Sequence, residues 1–268
     1  MKAEDGFGVY RRLAVARATD LEAQAKGQDG GVVTALLLSA LEAKTIDGAV
    51  VSGMDQERPF YPVPRLTETR EEILKCSGTR YSFSPNVRAL AEVAKQRKTE
   101  IAFVATACQV QSVRRMQLAS LRLAAPVKYV IGLMCSECFT YEGLMEEYIR
   151  NRLGMSLLDI EKINIKGKMQ VTTRSQVRTI PLVEVKQYSR NSCSLCRDFS
   201  AELADISAGG LGLDGWTFVV VRTARGEELF SKAEKTGAIT VRNASEEPKA
   251  LDLLRRLSQK KKLASRCS

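Results

Sequence analysis

The chain of 268 residues contains no histidine. That absence removes Cys2His2 zinc, two-histidine iron centres, histidine-dependent nucleophilic triads and imidazole general bases in one step. Any metal must be held mainly by sulfur. Long apolar runs are also missing: TALLLSAL falls far short of the roughly 20 residues a membrane helix needs. The opening MKAEDGFGVYRR has no stretch of the secretion-signal type. Together these features predict a cytoplasmic protein. Aromatics are only 6% of the chain and do not interleave with its basic runs, so a stacking platform for single-stranded nucleic acid is poorly supported.

The hydrophobic content of 44% suffices for a buried core. A net charge of +10 predicts acidic company: a nucleic acid, an anionic cofactor or an acidic partner subunit. Seven cysteines, grouped partly in CxxC pairs, argue for metal or redox chemistry in a reducing compartment more than for a disulfide framework.

Three runs read as buried strands: Ile46 to Gly53, Glu100 to Cys108 and Val127 to Cys135. Helical patterns, VVTALLLSALEAK, NVRALAEVAKQRK and QVQSVRRMQLASL, separate them. The fold class is therefore α/β, with a parallel-sheet core of βαβ units. Cys108 and Cys135 then stand at the carboxyl ends of neighbouring strands, where open α/β sheets place ligands. A helical stretch near EGLMEEYIRNRL follows. The period then changes to two, predicting an added antiparallel β element over Ile163 to Thr173 and Val177 to Val185, with turns at Lys166-Gly167-Lys168 and Arg174-Ser175-Gln176. SAGGLGLDGW, Ser207 to Trp216, reads as a glycine-rich loop; TFVVVRT is a strand, GEELFSKAEKTG a helix, and the tail from Pro248 a basic amphipathic C-terminal helix. Residues 1–247 are expected to carry the cofactor chemistry and 248–268 a solvated or partner-docking helix.

CSEC, Cys135 to Cys138, and CSLC, Cys193 to Cys196, are the strongest chemical signal. Four thiolates without histidine fit an iron–sulfur cluster or structural zinc. The cluster is favoured because zinc ribbons usually sit between short hairpins, whereas CSEC ends a buried strand. Cys108, Cys135, Cys193 and Cys196 make the expected set, with Cys138 a spare or an alternative. Cys76, on a helix end, and Cys267, in the tail, read as ordinary cysteines. GQDGGVVTALL fits a phosphate-binding turn or a plain turn with Asp29 as N-cap. Thr79, Arg80 and Ser82 offer donors to an anion; Lys166 and Lys168 fit a phosphate or solvent.

These pieces occur together in one order. ARATD, GQDGGVVTALLLSALE, GAVVSG, GTRYSFSPNV, Ala107-Cys108, GLMC, IKGK, CSLCRDFSAELADIS and DGW resemble the motifs of the coenzyme F420 hydrogenase/dehydrogenase beta-subunit family, from about Arg17 to about Leu257. The resemblance implies an FAD, one [4Fe-4S] cluster and a site for coenzyme F420. It assigns Cys108, Cys135, Cys193 and Cys196 to the cluster, and Gly30, Gly31, Val32, Thr34, Thr79, Arg80 and Ser82, with Lys166 and Lys168, to the flavin site. It also implies cluster-carrying redox partner subunits, of hydrogenase, heterodisulfide reductase or dehydrogenase type. The competing expectations are a similar subunit served by NAD(P)H or ferredoxin, and a zinc-stapled basic domain that binds nucleic acid.

Overall fold

Alternating side chains of the apolar runs decide which face of the sheet each residue covers. The computed structural model of the chain describes residues 2–4 and 6–264; Cys267 lies outside them. Strands β1 (Lys2–Glu4) and β2 (Gly8–Tyr10) form a hairpin ahead of the main sheet. The main sheet begins with β3 (Arg12–Ala18), β4 (Gly48–Met54), β5 (Pro62–Thr67), β6 (Ile101–Thr106) and β7 (Val127–Leu133). A separate antiparallel sheet holds β8 (Ile160–Lys166), β9 (Lys168–Thr173) and β10 (Val177–Ile180). The chain then returns to the main sheet as β11 (Ile206–Gly209), β12 (Thr217–Val221) and β13 (Ile239–Asn243), giving the spatial order β13-β3-β12-β11-β7-β6-β4-β5. Its centre, β11, β7, β6 and β4, is parallel, as the βαβ reading requires.

Helices cover both faces. On one lie α1 (Leu21–Lys26), α2 (Val32–Glu42) and α3 (Arg70–Lys75); on the other lie α4 (Leu90–Lys95) and α5 (Ala107–Leu118). Along β6, Ala102 and Val104 face the first layer while Ile101, Phe103 and Ala105 face the second. The stretch Glu142–Arg152 is a π-type helix, continued by the Leu153 amide donating to the Tyr148 carbonyl at 3.0 Å. It packs Leu144, Tyr148 and Ile149 against Ile163, Met169 and Val171 of the small sheet, a core of its own.

The structure corrects three local expectations. Pro181 ends the strand expected through Val185, and α6 (Leu182–Val185) follows. The glycine-rich stretch from Ser207 is not wholly loop, because Ser207 to Gly209 belong to β11 at the sheet centre. After α7 (Ala224–Lys235), the C-terminal helix α8 (Pro248–Ala264) is amphipathic as expected: Ala250 and Leu254 bury against Phe7, Val15 and Phe218, while Arg256 and Lys260 stay exposed. Finally, α2 has Gly31 as its N-cap with no side-chain cap bond, so Asp29 does not cap it.

Candidate functional site

Parallel pairing of β6 with β7 brings their carboxyl ends together, and with them Cys108 and Cys135. Cys108 sits in the first turn of α5, exposed, its Sγ 3.5 Å from Thr106 Oγ1. The Cys135 amide donates to the Phe199 carbonyl at 2.9 Å, tying the CSLCRDFS segment to the end of β7. Cys193 Sγ accepts from the Cys138 amide at 3.4 Å, and Cys196 Sγ lies 3.5 Å from the Asp198 carbonyl oxygen. Cys108 is near enough for its charge to bear on both Cys193 and Cys196. The four expected ligands therefore share one edge. Cys138 joins them, its sulfur 3.8 Å from that of Cys135. Cys76 stands apart as the C-cap of α3.

Burial raises the Cys193 and Cys196 thiols above their ordinary value. The hydrogen bond with Cys138, reinforced by burial, raises Cys135 well above it, and the same bond lowers Cys138. Arg190 opposes the burial at Cys138, and one further cation opposes it at all four of these thiols. Lys261 of α8 donates to the carbonyls of Ser136 and Cys193, and its charge favours the thiolates of Cys135, Cys138, Cys193 and Cys196. Among the described residues no group of three or more cysteine or acidic side chains has the spacing of a single-ion site. Tetrahedral zinc with bonds of about 2.3 Å needs sulfurs about 3.8 Å apart, the separation of the Cys135 and Cys138 pair.

The glycine-rich turn lies beside this edge. Gly30 donates to Thr217 Oγ1 at 3.2 Å and accepts from the Ala18 amide at 2.7 Å, holding the turn to the ends of β3 and β12. Gly31 has φ +66° and packs its Cα against α1, where a Cβ would sit 2.4 Å from the Ala23 carbonyl oxygen. Val32 is buried in the core, and Thr34 Oγ1 lies 3.0 Å from Ser77 Oγ. Arg80 turns inward: its Nη1 donates to the carbonyls of Cys76, Ser52 and Gly78 at 2.7, 3.1 and 3.1 Å, and burial lowers its pKa. Thr79 is half-buried in the same loop, and buried Ser82 bridges to Phe139. The Phe139 amide donates to the Tyr81 carbonyl at 2.9 Å, so the Thr79–Ser82 loop and the residue after Cys138 form one surface.

The small sheet closes the turn from above. Lys162 Nζ donates to the Gly27 carbonyl at 3.1 Å, and Gln28 Nε2 to Asn164 Oδ1 at 2.6 Å. Lys166 is paired with Asp214 and lies 3.7 Å from Asp29 Oδ1, whereas Lys168 is exposed on the turn. Burial raises the Asp29 carboxyl, against the nearby charges of Lys166 and Lys162. Three polar atoms on these segments are buried without a partner: Gln28 Oε1, Ser52 Oγ and Asp198 Oδ1. Such orphans suit a bound polar group.

Asp29, Tyr81, Asp198 and Lys261 were not among the expected site residues. Tyr81 is the most informative of them. Burial raises its phenol, and the charges of Asp29 and Cys135 both reach it, so it stands between the glycine-rich turn and the thiols. A depression of about 490 Å³ near Arg114, Asp205 and Arg222 lies instead at the amino-terminal end of β11 and contains none of these residues.

A mixed α/β sheet with thiols converging on its carboxyl edge, next to a glycine-rich turn, is a scaffold for sulfur-held and anionic groups. The chain belongs to the coenzyme F420 hydrogenase/dehydrogenase beta-subunit family: residues 13–91 match the family model for the N-terminal part of that subunit, and residues 98–247 match the one for its C terminus. It is 39% identical to the coenzyme F420 hydrogenase subunit beta of Methanosarcina barkeri, over 96% of this chain and 91% of that protein. It is 38% identical to the corresponding subunit of Methanothermobacter thermautotrophicus, over 96% of this chain and 92% of that one. A chain in the structure of the F420-reducing [NiFe] hydrogenase complex from Methanosarcina barkeri superposes with a TM-score of 0.95 at 36% identity, covering all of this chain and 94% of its own length.

Proposed function

We propose that this chain is an iron–sulfur flavoprotein subunit that exchanges hydride with coenzyme F420 and single electrons with a partner subunit. The observation that carries the reading is the shared surface of the thiol edge and the Thr79–Ser82 loop, joined through Tyr81 and Phe139. Its relatives supply the chemistry: two are F420 hydrogenase beta subunits, and the superposed chain comes from a multisubunit F420-reducing complex.

In this reading Cys108, Cys135, Cys193 and Cys196 hold a [4Fe-4S] cluster. A multi-iron cluster draws its thiolates from several chain segments, as the four cysteines at one sheet edge offer. Gly30, Gly31, Val32, Thr34, Thr79, Arg80, Ser82, Lys166 and Lys168 line the FAD site. When bound, FAD supplies the switch between hydride chemistry and single-electron chemistry. The chain's own residues do the rest. Gly30 and Gly31 let the turn pack closely on β3, β12 and α1, Arg80 fixes the loop through three carbonyls, and Lys166 and Lys168 offset negative charge. Tyr81 stands between the turn and the thiols, partly buried against Phe139 and its neighbours. The partner is a redox subunit of a larger complex, docking in part on the outward basic face of α8, where Arg256 and Lys260 are exposed. Among the described residues no helix is long and apolar enough to cross a membrane.

The test is an anaerobic visible spectrum of the purified chain before and after adding reduced F420. Flavin bands over a broad cluster shoulder, bleached on addition, are expected. Bands that ignore F420 but bleach with NAD(P)H or ferredoxin would move the reading to another donor, and a colourless protein with zinc would overturn it.

A further inference from the structure

Five cysteines share the edge, and the ligand set proposed above uses four, leaving Cys138. Its sulfur lies 3.8 Å from that of Cys135, the one sulfur-to-sulfur contact among the described cysteines. The remaining thiols are turned to other groups: Cys193 to the Cys138 amide, Cys196 to the Asp198 carbonyl and Cys108 to the Thr106 hydroxyl. Closing a disulfide between Cys135 and Cys138 requires the sulfurs to approach to about 2.05 Å, a movement within one CxxC loop. We propose that Cys135 and Cys138 are a redox-active dithiol that closes in the metal-free chain and withdraws Cys135 from metal binding until it is reduced. This rests on the assignment of Cys135 as a cluster ligand.

The exposures of the two residues set their order of reaction: Cys135 is half-buried, while Cys138 is 9% exposed. The oxidant is a low-molecular-weight disulfide. The Cys135 thiol, giving up its proton as it attacks, bonds to one of its sulfurs to form a mixed disulfide and expels one thiolate, which takes up a proton. The Cys138 thiolate then attacks the Cys135 sulfur, forms the internal disulfide and expels the second thiolate, which is likewise protonated. Two electrons pass from the protein to the small disulfide, and two protons leave the cysteines for the released thiols. A thiol reductant reverses both steps. The closed pair also keeps the Cys135 sulfur out of irreversible oxidation to sulfinic and sulfonic acids.

The metal-free full-length chain, its fold checked by circular dichroism, is equilibrated with mixtures of oxidised and reduced glutathione, quenched with acid, alkylated and mapped by mass spectrometry. The first disulfide to form should join Cys135 to Cys138, and Cys138→Ser should instead accumulate a glutathione adduct on Cys135. Oxidation first at Cys193 and Cys196, or free alkylation of Cys135 and Cys138 while other pairs are oxidised, overturns the proposal whatever the variant does. Iron and sulfide are then supplied anaerobically. The oxidised wild type should take up iron only after dithiothreitol, and equal uptake before and after would also overturn it. A mapped Cys135–Cys138 disulfide in a chain that never takes up iron in any redox state would instead defeat the cluster assignment.

Discussion

Lys261 Nζ donates to the Cys193 carbonyl at 3.2 Å, so a side chain of α8 closes over the CSLC segment. Methionine at this position keeps the apolar stem and removes both charge and donors. We expect Lys261→Met to cost about 1 kcal/mol of stability, the usual worth of a half-exposed charge-assisted bond. It should also lower the iron and acid-labile sulfide retained per chain, while Lys261→Arg retains most of both. Equal iron in the methionine variant would show that the contact serves the helix alone.

Asp29 Oδ2 occupies the space in front of Gly210, 2.0 Å from where a Cβ would stand. Gly210→Ala should therefore push Asp29 away from Lys166 and disturb the glycine-rich turn, reducing bound flavin per chain severalfold in an absorbance assay. Asp29 itself has φ +51°, so glycine is tolerated there. Adding Asp29→Gly to Gly210→Ala should restore part of the flavin, and no recovery would place the clash elsewhere.

Gly31→Ala is expected to be worse tolerated. It combines a left-handed φ of +66° with a Cβ 2.4 Å from backbone that cannot move aside cheaply. The cost should be roughly 2–4 kcal/mol, read as a fall in the midpoint of urea unfolding. A midpoint within error of wild type would mean the turn relaxes freely.

Arg12 donates to Glu234 at 2.6 and 2.9 Å, and these bonds hold the Glu234 carboxyl below its ordinary value of 4.5. A carboxyl depressed in the folded state adds stability above its unfolded value and loses it as pH falls through the folded one. The pair is about one-third exposed, so the contribution is on the order of 0.5–1 kcal/mol. Glu234→Gln should melt lower than wild type near pH 7, and the two curves should converge as pH drops below about 4.5. A gap that persists unchanged into acid would assign the effect to packing.

The parts of the fold legible in the sequence are those whose residues make their own case. Ile101 to Ala105 and Val127 to Ile131 are buried on both faces and read as central strands, so the meeting of Cys108 with Cys135 follows. β3 is harder to see because every second residue of RLAVARA, Ala14, Ala16 and Ala18, is a weak strand former, and it gains its state by pairing with β12 and β13. Ser207, Ala208 and Gly209 carry no strand signal, yet β7 and β12 on either side fix them. In the site, the CxxC spacing announces Cys193 with Cys196, but nothing local reveals that Arg80 spends its Nη1 on three carbonyls or that Lys261 reaches the thiols. Those are products of tertiary packing between distant segments.

Sequence order gives the Lys261 contact a temporal meaning. All five clustered cysteines precede Lys261 in the chain, so each has left the ribosome before the helix that closes over them can form. The nascent protein therefore passes through an interval in which all five cysteines have been made and α8 does not yet close over them. If the edge holds the proposed cluster, that interval gives a metal donor its freest access, and formation of α8 ends it.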